Sequence, residues 1–262
     1  MIKLKVAPKW RLAIAVLPYL CVIMLLKFGA HYMKWEFLSL NALFTGIISA
    51  NIFLIGFLLS GVLVDYKESE KIPGDLAASF ETLADECLIL HKNKKTDAAR
   101  KCLDHLLSML DSTLKWFYKK ERTNKLLNDV ADLNEHFFEM ETHTQANFIT
   151  RLKQEQNLIR KMIVRVHTIR ETSFVGAGYA ITELITCILV GGLIFVRIEP
   201  YYESLFFVAF VSFVLIYMIF FIRDLDNPFG YTQDNNHVEE VPLKPLLDAK
   251  ERIQLRVGMI LN

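Results

Sequence analysis

The sequence predicts an all-α integral membrane protein with four transmembrane helices and a long cytoplasmic helical segment between the second and third. Three observations carry that reading: four apolar stretches long enough to cross a bilayer, basic residues clustered on one side of them, and a polar middle segment with helical periodicity. Of 262 residues, 53% are hydrophobic and 19 are Phe, a balance that a soluble domain does not reach without long apolar runs. Lys plus Arg number 30 against 29 Asp plus Glu, so no overall basic field points to nucleic acid, and no such partner is expected. The four cysteines (Cys21, Cys87, Cys102 and Cys187) form no CxxC pair and no closely spaced ligand set. They read as free reduced thiols.

The first span covers about residues 12–33, with Lys27 and His31 near its far end. Lys27 lies close enough to that end to be expected to snorkel to the interface. Basic residues precede this run, as in a cleaved signal peptide, but Pro18 inside it, Lys27 and the lack of an A-x-A-like site favour a retained span. The second covers about 38–64, where 27 consecutive residues carry no charge. That is about 40 Å of helix against a bilayer core of about 30 Å, so the helix either tilts or continues into the cytoplasm. The third, about 174–196, holds one charge, Glu183; the fourth, about 204–222, holds none.

Orientation follows from Lys and Arg in the flanks. Lys3, Lys5, Lys9 and Arg11 precede the first span without an acid among them, and Arg160, Lys161, Arg165 and Arg170 crowd the approach to the third. The turns at the opposite ends mix signs: Lys34 with Glu36, and Arg197 with Glu199 and Glu203. Both termini are therefore expected in the cytoplasm of a multi-pass protein of the cell (plasma or inner) membrane. The chain divides into a transmembrane hairpin (1–64), a cytoplasmic helical domain (65–173), a second hairpin (174–222) and a cytoplasmic tail (223–262).

Within the cytoplasmic segment, Ile72-Pro73-Gly74-Asp75 is expected to break the chain and cap a helix running to about His91. Thr96 or Asp97 caps the next, to about Lys120. From Thr123 to Gly176 no Pro or Gly intervenes, so one or two long helices lead into the third span. Leu126, Val130, Leu133, Phe137, Met140, Thr144 and Phe148 recur every three or four residues and form a packing stripe. Eighteen basic and eighteen acidic residues lie between 65 and 173, giving a solvated mixed-charge surface.

Few residues suggest chemistry. His136, Glu139 and His143 share a helix face at metal-ligand spacing, but acids are common around them and a surface face is expected. Gly176-Ala177-Gly178 opens a span instead of following a strand, so close helix packing is its expected role. Nucleophile elbow, P-loop and HExxH patterns are missing, so no enzyme activity is expected. Glu183, nine residues into its span and about 13 Å deep, is an intramembrane acid and so a functional candidate. It is expected either protonated and bonded to a neighbouring helix or facing a water-filled vestibule. In the second span Ser49, Phe53 and Phe57 share one face, beside Ile48, Ile52, Ile55 and Leu59 on its neighbour. Periodicity alone reads the Phe row as lipid-facing.

The tail begins Arg223-Asp224-Leu225-Asp226-Asn227-Pro228-Phe229-Gly230-Tyr231-Thr232-Gln233-Asp234 directly after the last span. This resembles the bestrophin superfamily, whose members carry an Asn/Asp-Pro-Phe-Gly element and acidic residues at that place. The stretch Ser49 to Asp65, with Phe53, Gly56-Phe57 and Ser60-Gly61-Val62-Leu63-Val64-Asp65, is similar to the family's pore helix. The topology matches over nearly the whole chain, the specific motifs over some 30 residues.

The resemblance implies a homo-oligomeric, pentameric ion channel in the lipid bilayer, with a pore neck at Ser49, Phe53 and Phe57. It would conduct chloride or a similar monovalent anion, because ring edges carry partial positive charge. A weakly selective cation channel, favoured by Glu183, and a non-conducting membrane-anchored scaffold or sensor are the alternatives. Asn227, Pro228, Phe229, Gly230 and Asp234 would clasp the tail. Two departures bear on this: Tyr66-Lys67-Glu68 stands where the family usually has an Arg-Trp-Trp-like element, and the acidic run is thin (Asp234, Glu239, Glu240). Calcium gating is thereby disfavoured, Asp234 is the one candidate calcium ligand, and no other cofactor is expected.

Overall fold

A computed structural model describes residues 10–172, 176–231 and 240–261. Its elements in chain order are α1 (Arg11–Tyr32), β1 (Leu38–Ser39), α2 (Ala42–Lys94), α3 (Asp97–Phe117), α4 (Thr123–Glu141), α5 (Ala146–Glu171), α6 (Gly176–Phe195), β2 (Val196–Arg197), α7 (Tyr201–Leu225) and α8 (Lys244–Leu261). They form two compact units, one of Met1–Tyr66 with Ser173–Asn227, the other of Lys67–Thr172 with Pro228–Asn262.

The first unit holds α1, the start of α2, α6 and α7. Four stretches are long and apolar enough to cross a membrane, lying within Arg11–Tyr32, Ala42–Lys94, Ala146–Phe195 and Tyr201–Leu225. No more than 28% of the most apolar 18-residue window of any of them is buried within the chain, so the chain itself leaves most of this apolar surface uncovered. The inner face of α2 (Ile55, Leu58, Val62) packs on Leu189 of α6 and on Leu215, Ile222 and Leu225 of α7. A second cluster joins Ile23 and Ala30 of α1 to Val190, Leu193 and Ile194 of α6 and Val208 of α7. Close approach is enforced at Gly192, where an added Cβ would stand 3.0 Å from the ring of Phe44.

One end of this unit is tied by strands and charge. β1 and β2 pair in parallel, Leu38 with Val196 and Ser39 with Arg197. Lys27 does not snorkel: it is fully buried, and its ammonium donates to Glu36 Oε1 (2.6 Å) and to the carbonyls of Ile194 (3.3 Å) and Val196 (2.5 Å). Three donors meet three acceptors, which is why the charge need not reach the interface. Glu36 also accepts from His31 Nδ1 at 3.0 Å, and the His31 ring stacks on Tyr201 at 3.7 Å. Burial pushes the Glu36 carboxyl up, but the bonds from Lys27 and His31 outweigh it and hold the group below the ordinary carboxylate range.

In the second unit the expected break at Pro73 is absent, and α2 runs through it to Lys94. A proline inside a helix costs about 3 kcal/mol and a glycine about 1. Against that, Ile72, Leu76, Phe80, Leu83 and Cys87 continue one buried face through the site, and each large side chain contributes about 1.5–3 kcal/mol. Packing outweighs local propensity. Thr96 caps α3, its hydroxyl accepting from the Ala98 N–H at 3.2 Å.

Residues 142–145 separate α4 from α5. The packing stripe is therefore deepest over α4, where Leu126, Val130, Leu133, Phe137 and Met140 are fully buried, while Thr144 and Phe148 lie past its end and are half-buried. The amide of Gln156 on α5 donates to the Val130 carbonyl at 2.6 Å. Arg170 closes the C-terminus of α3, donating to the carbonyls of Trp116 (3.3 Å) and Phe117 (2.8 Å) while lying over the Trp116 ring. Burial pushes this guanidinium down to about 10. Helix α8 is held by ion pairs from Arg252 to Glu81, Arg256 to Asp85 and Lys250 to Asp111.

Gly176-Ala177-Gly178 does not pack closely within the chain. Gly176 and Ala177 are exposed and Gly178 is half-buried.

Candidate functional site

Helix α2 presents two unlike faces in the first unit. Asn51, Ile55, Leu58 and Val62, at i, i+4, i+7 and i+11, are buried. On the other side Phe53 is 77% exposed and Phe57 63% exposed. Ser49 is exposed on the same side and donates back to the Thr45 carbonyl at 3.0 Å, so its hydroxyl is satisfied within the helix. Ile52 is also exposed, at 52%. The chain's own packing thus uses one face of α2 and leaves the Ser49–Phe53–Phe57 row outward, over an uncharged helix.

Behind that row lies a residue that the sequence reading passed over. The Asn51 amide donates to Thr186 Oγ1 on α6 at 2.9 Å, fully buried, and its Oδ1 has no partner among the described residues. The available signal was an amide in the middle of the uncharged run, in phase with Ile55, Leu58 and Val62 and out of phase with the phenylalanines.

Glu183 is bonded to a neighbouring helix. It is ion-paired: Nε and Nη2 of Arg223 on α7 donate to Glu183 Oε1 at 2.9 and 2.5 Å. Arg223, which the sequence offered only as the first residue of the tail, is the partner.

In the tail, Asp226 caps α7 with its N–H on the Ile222 carbonyl at 3.0 Å. Pro228 fixes the next dihedral, and its carbonyl accepts from the Val241 N–H at 3.1 Å. Phe229 is fully buried in the second unit, its ring 5.7 Å from that of Phe117 on α3. Tyr231 stands edge-on to Phe117, beside Tyr118, and its hydroxyl donates to the Val241 carbonyl. Asn227 is half-buried and Gly230 buried; Asp234 lies outside the described residues. Truncating Phe229 to alanine should cost about 3–5 kcal/mol, the range for a buried Phe, read as a lower denaturation midpoint with the helix content of the folded state unchanged.

No group of three or more His, Cys, Asp or Glu with metal-binding geometry occurs among the described residues. His143 falls beyond the end of α4, so it does not share the helix face of His136 and Glu139. The His136 ring lies 5.0 Å from that of His105, and burial and that neighbour push its pKa down. His105 itself donates to the Asp129 carbonyl at 2.7 Å.

Solved structures share the overall fold. A single-residue variant of a bacterial bestrophin homologue from Klebsiella pneumoniae superposes with a TM-score of 0.78 at 14% identity, over 95% of this chain and 100% of that one. The same organism's homologue phased on zinc gives 0.77 at 15% identity, over 94% and 98%. The chain has a bestrophin-like fold. In this chain the elements run as α1 and the start of α2, the polar helices α3 to α5, then α6 and α7, followed by a tail carrying Asn-Pro-Phe-Gly. No family model and no curated protein matches the sequence.

Proposed function

We propose that the protein is a homo-oligomeric ion channel, a pentamer whose pore is lined by α2 with its neck at Ser49, Phe53 and Phe57. The observation that carries the reading is the outward row of phenylalanines on α2, which the chain leaves unpacked in a bestrophin-like fold. Around a symmetry axis such rows form stacked apolar rings that resist wetting. Edge-on rings favour chloride or a similar monovalent anion. Glu183, the one feature that pointed to cations, is neutralised by Arg223, which supports the anion reading over the cation one. Purified protein in liposomes should pass chloride and not potassium under ion substitution. A strict monomer in mild detergent, or no flux of any ion, would refute the channel and leave a membrane-anchored scaffold with lipid-facing Phe53 and Phe57.

The proposed membrane is the cell (plasma or inner) membrane, with both termini and the second unit in the cytoplasm. In a Cys21→Ser, Cys187→Ser background, a cysteine placed at Lys120 should be shielded from impermeant thiol reagents outside intact cells, while one at Glu199 should be labelled. The opposite pattern reverses the topology. Conduction is proposed to need no cofactor. Any calcium effect on flux should vanish in Asp234→Ala.

A further inference from the structure

We propose that the first unit carries a binding site for a single phospholipid with an ethanolamine headgroup, in the groove between α1, α6 and α7. The proposal requires only that this unit sits in a bilayer, and it stands whether or not the protein conducts. The groove encloses about 680 Å³, within the usual range for ligand sites of about 300–1,000 Å³. Its walls include Val22 and Leu26 of α1, Val190 and Ile194 of α6, and Ile219 and Phe220 of α7. Tyr19 and Phe220 close one side edge to face, with centroids 5.5 Å apart. From Glu183 to Ile194 the groove follows α6 for about 16 Å at 1.5 Å per residue, room for the greater part of an acyl chain.

One end is charged. Among the described residues, the ionisable side chains on the lining besides Tyr19 and Cys187 are Glu183 and Arg223, and they lie at the same end. Both bonds of the pair go to Glu183 Oε1, which leaves Oε2 for a second donor. The Arg223 side chain is 57% exposed and that of Glu183 32%. A paired cation and anion at the mouth of an apolar slot match a zwitterion: the guanidinium takes the lipid phosphate, and the carboxylate takes a hydrogen-bonding ammonium. A choline headgroup has no N–H to give Glu183, and a glycerol headgroup brings a net negative charge against it. Ethanolamine satisfies both residues.

The groove contains its own reporter, because Cys187 lies on the lining and is exposed. The test uses the full chain with Cys21→Ser, reconstituted in phosphatidylcholine vesicles with or without phosphatidylethanolamine or phosphatidylglycerol, and follows labelling of Cys187 by a membrane-permeant maleimide. Phosphatidylethanolamine at about ten times its dissociation constant should slow labelling by about tenfold, the factor 1 + [L]/Kd that mass action gives for a single site. Phosphatidylglycerol should not. The neutral pair Glu183→Gln with Arg223→Gln should abolish the difference between headgroups. Gly191→Leu fills a wall position where an added Cβ meets nothing within 4 Å; it should eliminate lipid retained per subunit in native mass spectrometry. Equal labelling in all three lipids overturns the proposal. So does labelling that depends only on assembly, rising when the oligomer dissociates regardless of lipid, since a neighbouring copy would then fill the groove.

Discussion

Truncating Phe53 and Phe57 together to alanine should raise basal ion flux in liposomes by about tenfold or more, with the oligomer intact by size. Two rings of phenylalanine on a central axis make a tube that water leaves easily, and an ion in it lacks the hydration that it has in bulk. Alanine widens the tube and lets water in. Tenfold corresponds to lowering the barrier by about 1.4 kcal/mol, a small part of the cost of stripping an ion. Both side chains are exposed in the chain, so their removal opens no cavity in its core, and assembly is the control. Ile52, adjacent on α2 and also exposed, sits off the row. Ile52→Ala should change flux much less. A double mutant that assembles and conducts no more than wild type, or a larger effect at Ile52, would mean that the pore uses another face.

The largest effect on stability is expected at Lys27 and Glu36. Removing one partner of a buried pair leaves the other charge without compensation, at a cost of about 3–5 kcal/mol. Glu36→Ala strands the fully buried Lys27 ammonium on two carbonyls. Its melting temperature should fall by on the order of 10 °C. Lys27→Met with Glu36→Gln removes both charges and should recover much of the loss. A pH dependence accompanies this. The folded carboxyl of Glu36 is held below its ordinary value, so its contribution is fully present above the unfolded carboxylate range of about 4.3 and is lost as pH falls through the folded value. Melting curves from neutral to acid should show that loss in wild type and a smaller one in Glu36→Gln. A Glu36→Ala protein that melts with wild type would show that the pair contributes nothing.

The four apolar stretches were legible because the bilayer sets their length, and no tertiary contact is needed to read them. The stripe from Leu126 to Met140 was legible because a helix that packs by one face must repeat at its own period. Pro73 misled because local propensity says nothing of burial: Ile72 and Leu76 beside the proline and Phe80 and Leu83 beyond it share one buried face, and that packing keeps the helix going. Lys27 and Glu183 misled in a related way. The acceptors of Lys27 include carbonyls 167 and 169 residues away, and Glu183 meets an arginine 40 residues on. Charge in a span was readable as a problem, while its solution was a matter of folding. For the candidate neck, periodicity could group Ser49, Phe53 and Phe57 but not say what they face; the buried phase of Asn51, Ile55, Leu58 and Val62 shows which side the chain keeps for itself.

The four thiols divide cleanly between the units. Cys21 and Cys187 are exposed in the first, while Cys87 and Cys102 are wholly buried in the second. A hydrogen bond with Cys102, together with burial, raises the Cys87 thiol well above its ordinary value, so it is a poor nucleophile while the unit stays closed. Reagent uptake is therefore a stoichiometric record of opening: two equivalents from the native chain, and a third and fourth only when α2 and α3 part. Timed alkylation read by intact mass would follow the loss of the second unit without a label or an engineered residue.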